Sequence, residues 1–208
     1  MKNKKNTAEN FSHRNHLHAL KYKICVSGAA ETGSCAKDAL AKAEELGREI
    51  GRRGLILMTG ATTGIPYWAA KGAKEEGGIV IGLSPAASKA AHLKSYRLPT
   101  DYHDLIIYTG FDYSGRNLLL TRSADAVIVV CGRMGTLNEF TIAFEDHKPI
   151  GVLEKTGGTA DMIKEIVERT HRGPGEIIFS DKPDVLLDKL LTIIEEDEAK
   201  NGIKGRII

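Results

Sequence analysis

Short apolar runs alternate with segments of helical period along nearly the whole chain, and no other feature constrains the fold as tightly. Residues 23–27 (K-I-C-V-S) read as a first strand, and 34–52 then place Ala36, Leu40, Ala43, Leu46 and Ile50 at three- and four-residue spacing, one face of a helix. The same alternation predicts strands at 55–59, 79–83, 105–109, 126–130, 150–153 and 176–179. Helices are predicted through Lys74 and over about 114–123, 136–147, 159–170 and 183–195, the last with Pro183 in its first turn. The fifth strand, A-V-I-V-V, is apolar throughout, as a strand covered on both faces should be.

Strands that alternate with helices build βαβ units, so the predicted fold is a three-layer αβα Rossmann-like domain around a parallel sheet of about seven strands. With 208 residues the chain has the length of one such domain. Right-handed crossovers put every strand-to-helix loop on the carboxyl edge of the sheet, where folds of this class bind ligands. Three of these loops are glycine-rich: Gly28 to Gly33, Gly60 to Gly64, and Gly132 to Gly135 followed by Thr136. Glycine lets a phosphate approach main-chain N–H groups, and the following helix offers its positive end. One such loop would be better read as a tight turn; three on one edge reverse that and point to a phosphorylated ligand. None has the G-x-G-x-x-G spacing or the P-loop lysine, which disfavours an ordinary dinucleotide or ATP site.

Charge separates the ends of the chain. Residues 1–23 carry six Lys and Arg against Glu9, a balance of +5 within a net charge of +2, which leaves the remainder at −3. The basic character thus belongs to an arm over residues 1–20, ahead of a nucleotide-binding domain over 21–208. A mildly acidic domain is a poor nucleic-acid surface. His13, His16 and His18 have a spacing that could hold a metal, but a solvated tail accounts for them as well. No apolar run is long enough to span a bilayer, and the polar, basic start predicts no secretory leader and a cytoplasmic protein. Cys25, Cys35 and Cys131 lie far apart, which predicts reduced thiols, with Cys35 and Cys131 as packing residues.

The stretch Cys131-Gly132-Arg133-Met134-Gly135-Thr136-Leu137-Asn138-Glu139 concentrates the chemistry. Thr136 and Glu139 have the T-x-x-E spacing of a capping box. Alternatively, Gly135 and Thr136 hold a phosphate while Glu139, one turn on, faces the ligand. Arg116 either pairs with Asp112 on its own helix or reaches the site. Trp68 and Tyr67 could stack on a base or serve the core. Residues 84–104 form a long connection at the ligand edge, either a lid carrying Lys94, Tyr96 or Arg97 or a short surface helix.

Gly132-x-x-Gly135-Thr136-x-x-Glu139, Gly115-Arg116-Asn117 ahead of the fifth strand, and Gly60-Ala-Thr-Thr-Gly64 together resemble the motifs of the Lonely Guy proteins, once labelled lysine decarboxylases. The similarity runs from Lys23 to about Ile194 and extends to relatives grouped with molybdenum cofactor carrier proteins. The resemblance implies hydrolysis of the N-glycosidic bond of a nucleoside 5′-monophosphate. Glu139 would stabilise an oxocarbenium-like state or activate water, Arg116 would steer the ligand, and Asn117 would hydrogen-bond a ribose hydroxyl. Gly28, Gly60, Gly64, Gly132, Arg133, Gly135 and Thr136 would bind ligand or phosphate. No metal is required, and the implied partners are a nucleotide-like ligand and further copies of the chain, with neither nucleic acid nor membrane. Two departures stand out. The family's Pro-Gly-Gly is Cys131-Gly132-Arg133 here, and Phe140 replaces the acidic residue that often follows the motif glutamate. A hydrolase and a non-catalytic carrier or sensor of a nucleotide or molybdenum-cofactor-like ligand both remain open at this point. Single-stranded DNA binding, through the Rossmann-like core shared with the DNA-processing protein A family, is disfavoured by the acidic domain.

Overall fold

A computed structural model describes residues 21–200 apart from Arg172 and Pro174. The basic arm over 1–20 and its histidines lie outside the described residues. Seven strands form one sheet: β1 Lys23–Gly28, β2 Ile56–Thr59, β3 Ile79–Ser84, β4 Leu105–Tyr108, β5 Ala126–Val130, β6 Ile150–Leu153 and β7 Ile177–Ser180. Their order is β4-β3-β2-β1-β5-β6-β7, and every neighbouring pair is parallel. The helices are α1 Ala39–Arg52, α2 Ile65–Glu75, α3 Lys89–Lys94, α4 Asp112–Ser123, α5 Met134–Glu145, α6 Ile163–Thr170 and α7 Pro183–Lys200. Among the described residues, no helix is long and apolar enough to cross a membrane.

The predicted three-layer fold is the observed one. Side chains alternate across the central strands, so Ile24, Val26 and Ile128 join α1, α2 and α7 in one core, with Leu46, Ile50, Ile65 and Leu187. Cys25, Val127 and Val129 face the other core, with Leu120 of α4, Phe140 of α5 and Ile163 of α6. All five residues of β5 are buried. Asp125, just ahead of β5, accepts from the Lys23 backbone N–H at 2.7 Å and from Lys23 Nζ, which anchors the start of β1 beside β5.

Of the helix starts that differ from the periodic pattern, those of α1 and α5 bear on the loops. The first helix begins at Ala39 rather than Ser34, because 34–38 are drawn to the segment after β6. Ala36 N donates to the Thr156 carbonyl at 2.9 Å, Cys35 bridges to Gly157, and Cys35 is bonded to Cys131. That disulfide, with its Cα atoms 5.5 Å apart, overturns the prediction of three reduced thiols and the reading of Cys35 and Cys131 as packing residues; only Cys25 is free. Spacing along the chain carried no sign of it, since the partners are 96 residues apart. α5 begins at Met134, two residues earlier than predicted, with Arg133 as its N-cap and no side-chain cap. Thr136 therefore sits inside the helix and is not the cap, which removes the capping-box reading of Thr136 and Glu139.

Candidate functional site

The strand order reverses between β1 and β5, whose connections run to opposite sides of the sheet. The crevice outside the carboxyl ends of two such strands is where open α/β sheets take their ligands. Here it is a cavity of about 500 Å³. One wall is Gly28–Glu31 after β1, the other Arg133–Thr136 at the start of α5, and Gly60 and Thr62 close the end beyond β2. The parallel register sets this up: Gly28 lies beside Val130, so both chains leave the sheet at the same level.

Glu139 lies in the floor, one turn into α5 from Thr136. Both are buried and both line the cavity, the placement that a three-residue helical step gives to one face. Ser27, the last polar residue of β1, donates from Oγ to Glu139 Oε2. Arg116 and Asn117 come from α4, where Arg116 turns away from Asp112 and sends Nη1 to within 3.5 Å of Glu139 Oε1. The i,i+4 pairing of Arg116 with Asp112 is thus replaced by a buried pair, and Asp112 accepts the Tyr96 hydroxyl instead. With its amide oriented to satisfy its surroundings, Asn117 Nδ2 donates to Glu139 Oε1 and to the Tyr113 carbonyl, both at 2.9 Å.

Burial raises the Glu139 pKa above its ordinary value, against the opposing pull of Arg116 and Ser27. The result is a carboxylate with three donors at the bottom of a cavity, suited to proton transfer or to stabilising a cation. Tyr113 lies beside the Arg116 guanidinium, 5.9 Å from its ring centroid to Cζ. Arg116 Nε is buried without a hydrogen-bond partner among the described residues.

The glycines divide by role. A Cβ on Gly60 would lie 2.8 Å from Arg116 Cζ, so only glycine lets the guanidinium lie against this loop. Gly132 has φ +105 and makes the turn that aims the first turn of α5 into the cavity. Gly28, Gly60 and Gly135 line the cavity, while Gly64 and Gly132 back its walls. Arg133 stands at the mouth, its exposed side chain paired with Glu31 of the opposite wall.

Other sequence-derived suggestions lie elsewhere. Trp68 packs against the first core and carries Lys71 Nζ 5.2 Å from its ring centroid, and Tyr67 meets Tyr102 edge-on. Of the lid segment, residues 89–94 form α3; Lys94, Tyr96 and Arg97 do not line the cavity. Sequence reasoning passed over Ser27, Glu31, Tyr113 and Met134. Ser27 had a usable signal, as the hydroxyl at the end of the first strand just ahead of a glycine loop.

The fold is that of a Rossmann-like α/β protein of the Lonely Guy and molybdenum-cofactor-carrier superfamily. Residues 21–187 match the SLOG cluster4 family, and the chain belongs to it. An uncharacterised protein of Archaeoglobus fulgidus is 30% identical over 132 residues, 64% of this chain and 82% of that one. The solved structure of the molybdenum cofactor binding protein from Rippkaea orientalis is 26% identical, with a TM-score of 0.70 over 85% of this chain and 99% of that one. The molybdenum cofactor carrier protein from Chlamydomonas reinhardtii is 28% identical, with a TM-score of 0.67 over 83% of this chain and 99% of that one.

Proposed function

We propose that the protein binds a phosphorylated ligand of the nucleotide or pterin class in the β1–β5 cavity and acts as its carrier or sensor. The observation that carries this reading is the first turn of α5: it has no side-chain cap, and Gly135 and Thr136 open onto a cavity whose floor holds Arg116 and Asn117. Uncapped N–H groups and the helix dipole would take the phosphate, and the cavity beyond has room for a heterocycle. The likeness to molybdenum cofactor binding and carrier proteins supports a pterin-type ligand. The exposed Leu105 and Ile107 on edge strand β4 and Leu118 and Leu119 on α4 support association into a homo-oligomer. Native mass spectrometry of freshly purified protein should show a co-purified phosphorylated species. A structure soaked with adenosine monophosphate should place the phosphate on the Gly135 and Thr136 N–H groups. An anion at Gly28 with the 132–136 turn empty would reject the reading.

The donors converging on Glu139 favour a second reading, hydrolysis of the N-glycosidic bond of a nucleoside 5′-monophosphate. Water would attack the anomeric carbon as the bond to the base breaks, with Glu139 stabilising the sugar cation or activating the water. Release of free base from adenosine monophosphate, lost in Glu139→Gln, would establish the hydrolase and displace the carrier.

A further inference from the structure

The Cys35–Cys131 disulfide ties together the two walls of the cavity. Cys131 is buried and opens the turn that leads through Gly132 and Arg133 to the first residues of α5. Cys35 is half-buried and follows Gly28–Glu31, the wall on the other side. Besides this bond, the walls are linked directly by the pair of Arg133 with Glu31, two exposed side chains whose attraction is weak in water. Both also lean on the segment after β6. Cys131 N donates to Thr156 Oγ1 at 2.8 Å, Ala160 N donates to the Cys131 carbonyl at 2.7 Å, and Thr159 N donates to the Gly132 carbonyl at 3.1 Å. Cys131 is held at φ +53, a left-handed conformation that a side-chain-bearing residue keeps only where its surroundings impose it. The disulfide is one of those constraints, and it acts on the residue from which the turn to α5 springs.

The geometry points to a redox latch on the ligand site: closed, the Cys35–Cys131 bond holds the phosphate seat of α5 against the 28–31 wall, and opening it by a dithiol releases the seat and weakens the ligand. The thiolate of the dithiol attacks Sγ of Cys35, the less buried of the two residues, and the protein S–S bond breaks with Cys131 leaving as a thiolate. The second thiol of the reductant then closes a disulfide within the reductant and frees Cys35. Two electrons and two protons pass from the dithiol to the protein, which gains two thiols. Cys25 takes no part, because it is buried and its burial holds the thiol well above its ordinary pKa.

The effect on ligand rests on the binding reading above, whereas the effect on the walls does not, so the test reads both. The full-length protein is kept oxidised or treated with dithiothreitol, without denaturant. Thiol alkylation is followed by mass, backbone hydrogen exchange is measured over 28–36 and 131–137, and affinity is measured for adenosine monophosphate and inorganic phosphate. Reduction of the folded protein should expose two alkylatable thiols, speed exchange in both segments at least tenfold, and weaken the probes at least tenfold. Re-oxidation should reverse all three changes. The Cys35→Ser/Cys131→Ser variant should behave as the reduced protein and ignore dithiothreitol; if it does not fold, the reduced wild type supplies the same comparison. A bond that opens only on unfolding overturns the latch, as does one whose opening leaves exchange unchanged or leaves the affinity of a bound probe unchanged. If neither probe binds the oxidised protein, the binding reading fails, and the exchange measurement still decides whether the disulfide holds the walls.

Discussion

Replacing Arg116 by Met tests the charge balance of the cavity floor. The Arg116 and Glu139 side chains are 6% and 7% exposed and 3.5 Å apart, and methionine keeps the aliphatic stem while removing the charge. Taking one partner from a buried pair typically costs about 3–5 kcal/mol, because the other charge is left uncompensated in a poor solvent. Glu139 keeps Ser27 and Asn117 as donors, which puts the loss near the lower end, about 3 kcal/mol at pH 8. In a domain of this size that is a fall of roughly 6–12 °C in Tm. The loss should depend on pH. Burial already holds the folded Glu139 pKa above 4.5, and without Arg116 it rises further. An acid with a raised folded pKa contributes stability that is present below its unfolded pKa and lost as pH rises through the folded value. Arg116→Met should therefore cost clearly less at pH 5 than at pH 8, and adding Glu139→Gln should recover most of the loss at pH 8. Urea titrations of the wild type, both single variants and the double variant at the two pH values check this. Equal losses at both pH values, with no recovery by glutamine, would refute the reasoning.

Gly132→Ala should destabilise the protein by at least about 2 kcal/mol, since φ is +105 and the new Cβ meets Thr136 Cβ at 2.7 Å; a change within 0.5 kcal/mol in denaturant titration, roughly the scatter of a neutral site, would contradict the turn. His103 donates from Nδ1 to the Asp101 carbonyl at 2.8 Å and its Nε2 lies 2.9 Å from Thr59 Oγ1, and burial holds its pKa below 6.5. A depressed histidine leaves stability complete above the unfolded pKa and loses it as pH falls toward the folded one, so His103→Gln should flatten the decline below pH 6.5 in parallel melting curves. Arg133→Gln should change stability by less than about 1 kcal/mol, because its pair with Glu31 is exposed, yet weaken adenosine monophosphate about tenfold if the guanidinium turns to the phosphate. Unchanged affinity by calorimetry would leave Arg133 a rim residue.

The elements of this fold were legible in the sequence because each is announced over a few neighbouring residues. Ala126–Val130 is apolar throughout, as a strand covered on both faces should be, and the spacing of Ala36, Leu40, Ala43, Leu46 and Ile50 presents one apolar face wherever the helix packs. Right-handed crossovers then carry the glycine loops to one edge, so the edge at which the cavity lies followed from topology rules. What only the tertiary structure decided were contacts between residues distant in sequence. The order of strands sets β1 beside β5, with Val26 against Ile128, and so delivers Ser27 to Glu139 and Cys35 to Cys131. No local pattern distinguishes Asp112 from Glu139 as the partner of Arg116; the inward face of α4 does, because a buried guanidinium needs a buried carboxylate. The helix starts shifted for the same reason: hydrogen bonds from Ala36 to Thr156 and from Ala160 to Cys131 outweigh the few tenths of a kcal/mol per residue by which local propensity favours one boundary over another.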